Sequence, residues 1–335
     1  MRRPVTVAVD VLGGDGAPRA VLDAVRLVQA DPQARVLLVG PVDQLPELMA
    51  QHRIRPGAVD LMNATECVAM DAHPLQAVRQ DAQLEQPRLT VTVAARAVRD
   101  GAAEAWVSVG HTGAAVAAAV LAAGRIPNMA RPALAVVLPA LEQPVVLLDA
   151  GAGLDASPQV LAQFAVAGWC YARALGVAEP NVGLLTIGSE PGKGDDVRQE
   201  AEQVLAERLR GHGIGFVGPV EGGDVVTGRR AQVVVTDGFT GNVLLKGIEG
   251  AVAWSVERIS QAYADPEPAR RVLREVATGD FAGGMLLGVD ATTVIGHGAG
   301  SPAQIAACIR LAASAAERGL IPELRARLAL TSESS

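Results

Sequence analysis

Aromatic side chains are scarce in this sequence: only 3% of its 335 residues are Phe, Trp or Tyr, although half are hydrophobic. A core of this size must therefore be filled by Ala, Val and Leu, as where helices press closely on a parallel sheet. Cysteine is also sparse. Cys67, Cys170 and Cys308 lie far apart and form no Cys-x-x-Cys pair, which excludes a disulfide framework and predicts reduced, buried thiols. Basic residues are in the minority, 29 Lys and Arg against 36 Asp and Glu, for a net charge of −7. No long basic run or interleaved aromatic pattern marks a nucleic-acid footprint. The longest weakly polar run, Thr112 to Gly124, ends at Arg125. It falls short of the ~20 residues that a membrane span requires. The opening Met1-Arg2-Arg3-Pro4 runs straight into a strand-like segment, without the apolar core of a signal peptide. A cytoplasmic protein is expected. The sequence also lacks a G-x-S-x-G elbow, an H-E-x-x-H pair and a G-x-G-x-x-G after the first strand. His, Cys and carboxylates do not cluster at ligand spacings, so neither a metal nor a cofactor is expected.

What is present is a repeated strand, glycine-rich turn and helix. Val5–Val9, Val36–Val39, Ala105–Val109, Leu134–Leu138, Val145–Leu148, Val182–Ile187 and Val233–Val235 are short apolar runs without polar alternation. Helical patterns fall at 74–100, 112–124, 158–175, 195–210 and 242–262, with another opening near Pro18, a residue suited to the first helical position. The alternation predicts an α/β fold with a doubly wound, mainly parallel sheet in a three-layer α/β/α arrangement. No composition shift marks a boundary, so residues 1–330 are expected to form a single continuous domain, with 331–335 a flexible tail.

In such folds ligands bind where strand carboxyl ends meet helix N-termini, which directs attention to five turns. Gly188-Ser189-Glu190-Pro191-Gly192-Lys193-Gly194 can converge backbone N–H groups on an anion, with Lys193 adding a mobile charge. Gly194 follows the lysine where a Walker A loop needs Ser or Thr, so ATP binding is not implied. A solvated surface turn explains the same residues equally well. Asp237-Gly238-Phe239-Thr240-Gly241-Asn242 offers Asn242 as a donor to a carbonyl or phosphate oxygen, or as a helix cap. Gly110-His111-Thr112-Gly113 sets a histidine at a strand end. Asp15, in Gly13–Pro18, and Asp149 are readable as turn organisers or as site residues.

In order along the chain these turns resemble the signatures of one family, the PlsX-type acyl-carrier-protein:phosphate acyltransferases. Asp10-Val11-Leu12-Gly13-Gly14-Asp15-Gly16-Ala17-Pro18 resembles its opening D-x-M-G-G-D-x-A-P, and Ser108–Ala114 its S-x-G-N-T-G-A. Gly124–Pro127, Arg131–Leu134, Leu147–Ala152, Gly192–Gly194, Asp237–Val243, Gly283–Val289 and Gly296–Gly298 resemble later ones. The resemblance implies a fold like that of isocitrate and isopropylmalate dehydrogenases, usually in a homodimer. It implies that acyl-ACP and inorganic phosphate give acyl phosphate and free acyl carrier protein, feeding phospholipid synthesis. An acyl-phosphate:glycerol-3-phosphate acyltransferase would then take the product.

Phosphate is itself a nucleophile, so alignment and oxyanion stabilisation suffice without Ser or Cys. On this reading Lys193 neutralises phosphate or the oxyanion, Asn242 orients a reacting oxygen and His297 moves or positions a proton. Gly13, Gly14, Asp15, Gly110, His111, Thr112, Gly113, Asp149, Gly192, Gly194, Asp237 and Gly241 bind substrate.

Several positions depart from the family pattern. His111 replaces the usual Asn, and Gly153 replaces the Asn after Asp149. Gln80–Gln86 is acidic where relatives are basic, which weakens docking of an acidic carrier. The segment 263–282 is shorter than the family's membrane-associated helical pair, so membrane contact is expected to be peripheral at most. A related acyltransferase with a different donor and a non-catalytic homologue remain open. A decarboxylating NAD-dependent dehydrogenase is disfavoured, because the metal-binding Asp cluster is not evident.

Overall fold

The computed structural model describes residues 3–69, 72–190, 192–262, 265, 267–269, 271–272 and 283–330. The tail expected at 331–335, and most of the shortened segment 263–282, lie outside the described residues. In chain order the strands are β1 (Val5–Asp10), β2 (Ala34–Gly40), β3 (Val59–Asn63), β4 (Ala105–Ser108), β5 (Ala133–Leu138) and β6 (Val145–Leu148). They continue as β7 (Val182–Leu185), β8 (Phe216–Val220), β9 (Val233–Val235), β10 (Gly283–Leu287) and β11 (Thr292–Gly296). The chain divides into two compact units, Met1–Ile126 with Ala282–Pro322 and Pro127–Phe281 with Glu323–Ser335. Both are built from the same Ala-, Val- and Leu-rich strands, so composition carries no step at either crossing.

In the first unit the strands run β3-β2-β1-β4-β11-β10. β1 is parallel to β2 and β4, and β4 to β11, while β10 returns antiparallel to β11. Val9 lies opposite Val107, and Ser108 opposite Ile295. The carboxyl ends of β1, β4 and β11 thus reach one level, which brings together the turns that follow them. The strands bury both faces, as the unbroken apolar runs require. Helix Thr112–Ala123 buries Ala114, Ala115, Ala117, Ala118 and Ala119, while Trp106 on β4 is wholly buried.

In the second unit the order is β5-β6-β9-β7-β8. β6, β9, β7 and β8 are parallel neighbours, and β5 is antiparallel to β6. Leu148 pairs with Val235, and Val235 with Leu184, so the turns after β6, β7 and β9 again share a level. Helix Pro158–Ala174 opens with Ser157 accepting from the Val160 N–H and proline in its first turn, and it buries Leu161, Phe164 and Trp169 among others. Each unit alone is a mixed, mainly parallel α/β sheet, as the sequence pattern predicts.

The pattern misplaces some elements. The single helix expected at 74–100 is two helices, Pro74–Asp81 and Thr90–Arg99. Pro87 lacks an N–H and disfavours helix in the residue before it. Asp81 holds the break, accepting from the Arg88 and Leu89 N–H groups at 2.8 and 3.2 Å. The helix expected from 242 begins at Gly238. β3, β8, β10 and β11 are strands without a clear apolar run; β8, with Gly218 and Pro219, takes the edge, where proline is tolerated. Cys170 and Cys308 are buried as expected, and burial pushes each thiol up to about 12. Cys67 is exposed, against expectation, in a segment with only an isolated bridge at Glu66.

Candidate active site

Two groups of turns hold the residues that the sequence singles out, one in each unit. In the first unit the turns after β1, β4 and β11 surround a cleft of about 580 Å³. Gly13, Gly14, Asp15, Gly110, His111 and Thr112 line it. Its floor is a buried pair that the sequence reading passed over: the Ser108 hydroxyl donates to Asp10 at 2.7 Å, and the Gly13 N–H donates to the other Asp10 oxygen at 3.0 Å. Burial pushes the Asp10 carboxyl above its ordinary value, more than these donors pull it down.

The turns are packed backbone to backbone. Gly14 has φ +100°, and a Cβ there would stand 2.9 Å from the Val109 carbonyl oxygen and 3.0 Å from that of Gly298. The Asp15 N–H donates to the Gly298 carbonyl at 2.8 Å, which ties the loop carrying His297 to the opening turn. His297 itself is exposed. His111 is the N-cap of helix Thr112–Ala123, its Nδ1 accepting from the Gly113 N–H at 3.1 Å. The Gly110 N–H is taken by Ser108 Oγ at 3.1 Å. The amides of Gly13, Asp15, Gly110 and Gly113 are thus taken up inside the turns. Those of Gly14, after β1, and of His111 and Thr112, at the helix start, have no internal partner among the described residues and can serve a ligand.

In the second unit Asp149 organises the turn after β6. It is almost wholly buried and accepts from four backbone N–H groups: Leu134, Gly151, Ala152 and Gly153, at 2.9, 2.9, 2.8 and 2.7 Å. Burial pushes its carboxyl up, with all four donors pulling the other way. Helix Gly238–Ala262 starts against this turn. The Phe239 N–H donates to the Leu154 carbonyl at 3.1 Å, and a Cβ on Gly241 would overlap the Asp149 carbonyl oxygen. This close approach carries the exposed Asn242 side chain over Gly151, whose added Cβ would meet Asn242 Oδ1 at 3.5 Å.

Asp237 takes the Thr240 N–H and hydroxyl, each at 2.8 Å, and pairs with Arg198. Burial pushes the Asp237 carboxyl up, but Thr240 and Arg198 outweigh it and hold the group below its ordinary value. Lys193 lies on the turn after β7. It is exposed and forms no ion pair among the described residues, its stem beside Gly188. Gln199 reaches back from the next helix to the carbonyls of Gly192 and Gly194 at 3.0 and 3.1 Å, which fixes the loop around the lysine. Lys193 and Asn242 are thus exposed side-chain donors of these turns with no hydrogen-bond or ion-pair partner among the described residues.

The family model described as "Fatty acid synthesis protein" matches residues 5–323. The phosphate acyltransferase of Thermobifida fusca is 42% identical over 320 residues, covering 91% of this chain and 86% of that protein. That of Desulfitobacterium hafniense (strain DSM 10664 / DCB-2) is 37% identical over 335 residues, covering 96% and 97%. The chain belongs to the phosphate acyltransferase family. Among solved structures, the EutD phosphotransacetylase from Staphylococcus aureus aligns over 93% of this chain and 94% of its own, with TM-score 0.65 at 15% identity. A 4-hydroxythreonine-4-phosphate dehydrogenase from Klebsiella pneumoniae aligns over 92% and 98%, with TM-score 0.55 at 13% identity. At those identities the likeness is one of fold, the isocitrate-dehydrogenase-like fold.

For a phosphate acyltransferase, two residues missed by sequence reasoning stand out. Arg198 joins Asp195, at 2.8 Å, to Asp237 and to Thr240 Oγ1, at 3.2 Å. The only sequence signal was an Asp-x-x-Arg at a helix start. Arg131 was quoted only as part of a segment. Its guanidinium pairs with Asp155 at 2.9 Å and lies beside Gly153, where an added Cβ would be 3.5 Å from it. Gly153 thus leaves room for a guanidinium beside the Asp149 turn.

Proposed function

We propose that this phosphate acyltransferase family member transfers the acyl group of an acyl-carrier-protein thioester to inorganic phosphate, releasing acyl phosphate and free carrier thiol. The supporting observation is the state of the second unit's turns. The Asp149 and Asp237 turns spend their N–H groups internally. The exposed Lys193 ammonium, on the turn after β7, and the exposed Asn242 amide, on the helix after β9, have no side-chain partner among the described residues. A cation and an amide donor are what a transition state with charge on phosphate and thioester oxygens requires. In this reading phosphate oxygen attacks the thioester carbon, Lys193 neutralises the developing charge and Asn242 orients a reacting oxygen. Collapse expels the thiolate, which takes up a proton.

Gly192, Gly194, Asp149, Asp237 and Gly241 act by holding those two side chains in place. Gly14, His111 and Thr112 supply backbone donors to an anionic group, Gly13, Asp15, Gly110 and Gly113 shape their turns, and His297 has the proton-transfer or positioning role. Both units are needed for turnover, so residues 1–330 work as one functional piece. The same reading has the protein act in the cytoplasm as a homodimer, drawing on acyl carrier protein and supplying an acyl-phosphate:glycerol-3-phosphate acyltransferase, with at most peripheral membrane contact. Among the described residues no helix is long and apolar enough to cross a membrane.

The test mixes purified protein with long-chain acyl-ACP and phosphate, following free thiol and acyl phosphate trapped as hydroxamate. Phosphate-dependent release of both is expected, with Lys193→Ala and Asn242→Ala each lowering turnover by about 10²–10³-fold. Near-wild-type turnover in both variants would remove this assignment.

A further inference from the structure

The second unit contains a cleft of about 570 Å³ whose walls are mostly apolar. Leu185, Ile187, Phe239, Val243 and Leu244 line it. Three of these large side chains are turned to solvent, Ile187 85%, Phe239 66% and Val243 56% exposed. Such a concentration of exposed apolar surface at a strand-end turn marks a binding surface. The polar side chains of the same cleft are already paired. The Thr186 hydroxyl and Gly188 backbone bond each other at 3.0 and 3.3 Å, Arg198 is held by Asp195 and Asp237, and the Thr240 hydroxyl donates to Asp237. The cleft therefore suits an apolar chain better than an amide or an anion.

The cleft is also continuous with the turns that carry Lys193 and Asn242. Gly194, next to the lysine, lines it, as do Thr240 and Val243 from the first two turns of the helix bearing Asn242. A thioester carbonyl held by Lys193 and Asn242 has its alkyl chain leave along this wall.

We propose that this cleft binds the alkyl chain of the acyl donor, and that Ile187, Phe239 and Val243 determine which chain lengths are accepted. The inference rests on the acyl-transfer reading. Full burial of a methylene strengthens binding about fourfold, and burial on one side by about half that free energy, or twofold. Affinity should climb by about twofold to fourfold per carbon until the wall ends, then level.

Two measurements separate this inference from the reading beneath it. The first titrates butyl-, hexyl-, octyl- and decylphosphonate into the whole protein by calorimetry, with no turnover required. Wild type is expected to bind the longer chains progressively tighter; Ile187→Asp, at a solvent-facing position where folding is not at stake, flattens the series. An affinity indifferent to chain length in wild type, or unchanged by Ile187→Asp, overturns the proposal. The second measures kcat/KM for palmitoyl- and hexanoyl-ACP in wild type and Val243→Trp. Filling the cleft should lower the palmitoyl-to-hexanoyl ratio by about tenfold or more, the equivalent of two to four methylenes. An unchanged ratio in an active Val243→Trp enzyme also overturns it. Chain-length-dependent binding without turnover of any acyl-ACP supports the alkyl site and removes the acyl-ACP reading instead.

Discussion

Replacing Arg198 with alanine tests how the helix bearing Asn242 is anchored. Arg198 is a largely buried guanidinium whose partners differ in environment: Asp195 is 58% exposed at its side chain and Asp237 only 12%. The outer pair contributes little, about 0–1 kcal/mol. Loss of the inner pair leaves a buried carboxylate without its cation, a change that costs about 3–5 kcal/mol when burial is complete. Thr240 keeps two bonds on Asp237, which reduces the expected loss to about 2–4 kcal/mol. Arg198→Lys retains charge without the planar fork and should cost less.

The pH dependence follows from Asp237, held below its ordinary value of 3.8. A depressed acid contributes stability that is complete above the unfolded value and is lost as pH falls through the folded one. The gap between wild type and Arg198→Ala should therefore be full near neutrality and close in the acid range below 3.8. Urea unfolding at several pH values measures it. Hydrogen exchange at the Thr240 and Gly241 amides reads the same opening locally, whatever the cooperativity between units. A loss below about 0.5 kcal/mol at neutral pH would show that the pair carries no anchoring, since ordinary surface changes reach that size. An acid-independent gap would show that the carboxylate is not the group released.

Gly241→Ala sets a Cβ onto the Asp149 carbonyl oxygen, so the urea midpoint should fall by the equivalent of about 1–3 kcal/mol, with a matching loss of turnover as Asn242 shifts. His212 is buried, with neither ring nitrogen bonded, and burial, then Arg208 and Arg327, hold it below its ordinary value of 6.5. Stability should therefore be lost as pH falls from 6.5 through the folded value, and His212→Phe should remove that slope in thermal melts across the range.

Much of the fold was legible because the strands are buried on both faces and written as short apolar runs. Strands such as β8 and β10 were not, since glycine and proline interrupt them and their place is set by neighbours rather than by their own pattern. The same division holds in the sites. Lys193 and Asn242 were visible because a glycine-rich turn after a strand is a local signal. Asp10 with Ser108, and Arg198 with Asp237, are pairs separated by 98 and 39 residues. Nothing local distinguishes their members from ordinary turn or helix residues. The backbone donors of the first unit show a further limit: which amides are free depends on bonds among three turns distant in sequence.

His111 shows how a departure from a family's pattern can preserve its chemistry. Asparagine at a helix start accepts a backbone N–H with its carbonyl oxygen and presents its NH₂ outward. His111 accepts the Gly113 N–H at Nδ1, and in a neutral imidazole this leaves the proton on Nε2. One ring thus reproduces both halves of the amide, an acceptor toward the helix and a donor on the far side, in the cleft that it lines with Gly14 and Thr112. The difference is reach, because Nε2 stands farther from the backbone than an asparagine nitrogen. His111→Asn should keep the cap and draw the donor inward. The expected result is little change in stability together with a raised KM for phosphate, and a loss of stability without a change in KM would show that the ring serves only the helix.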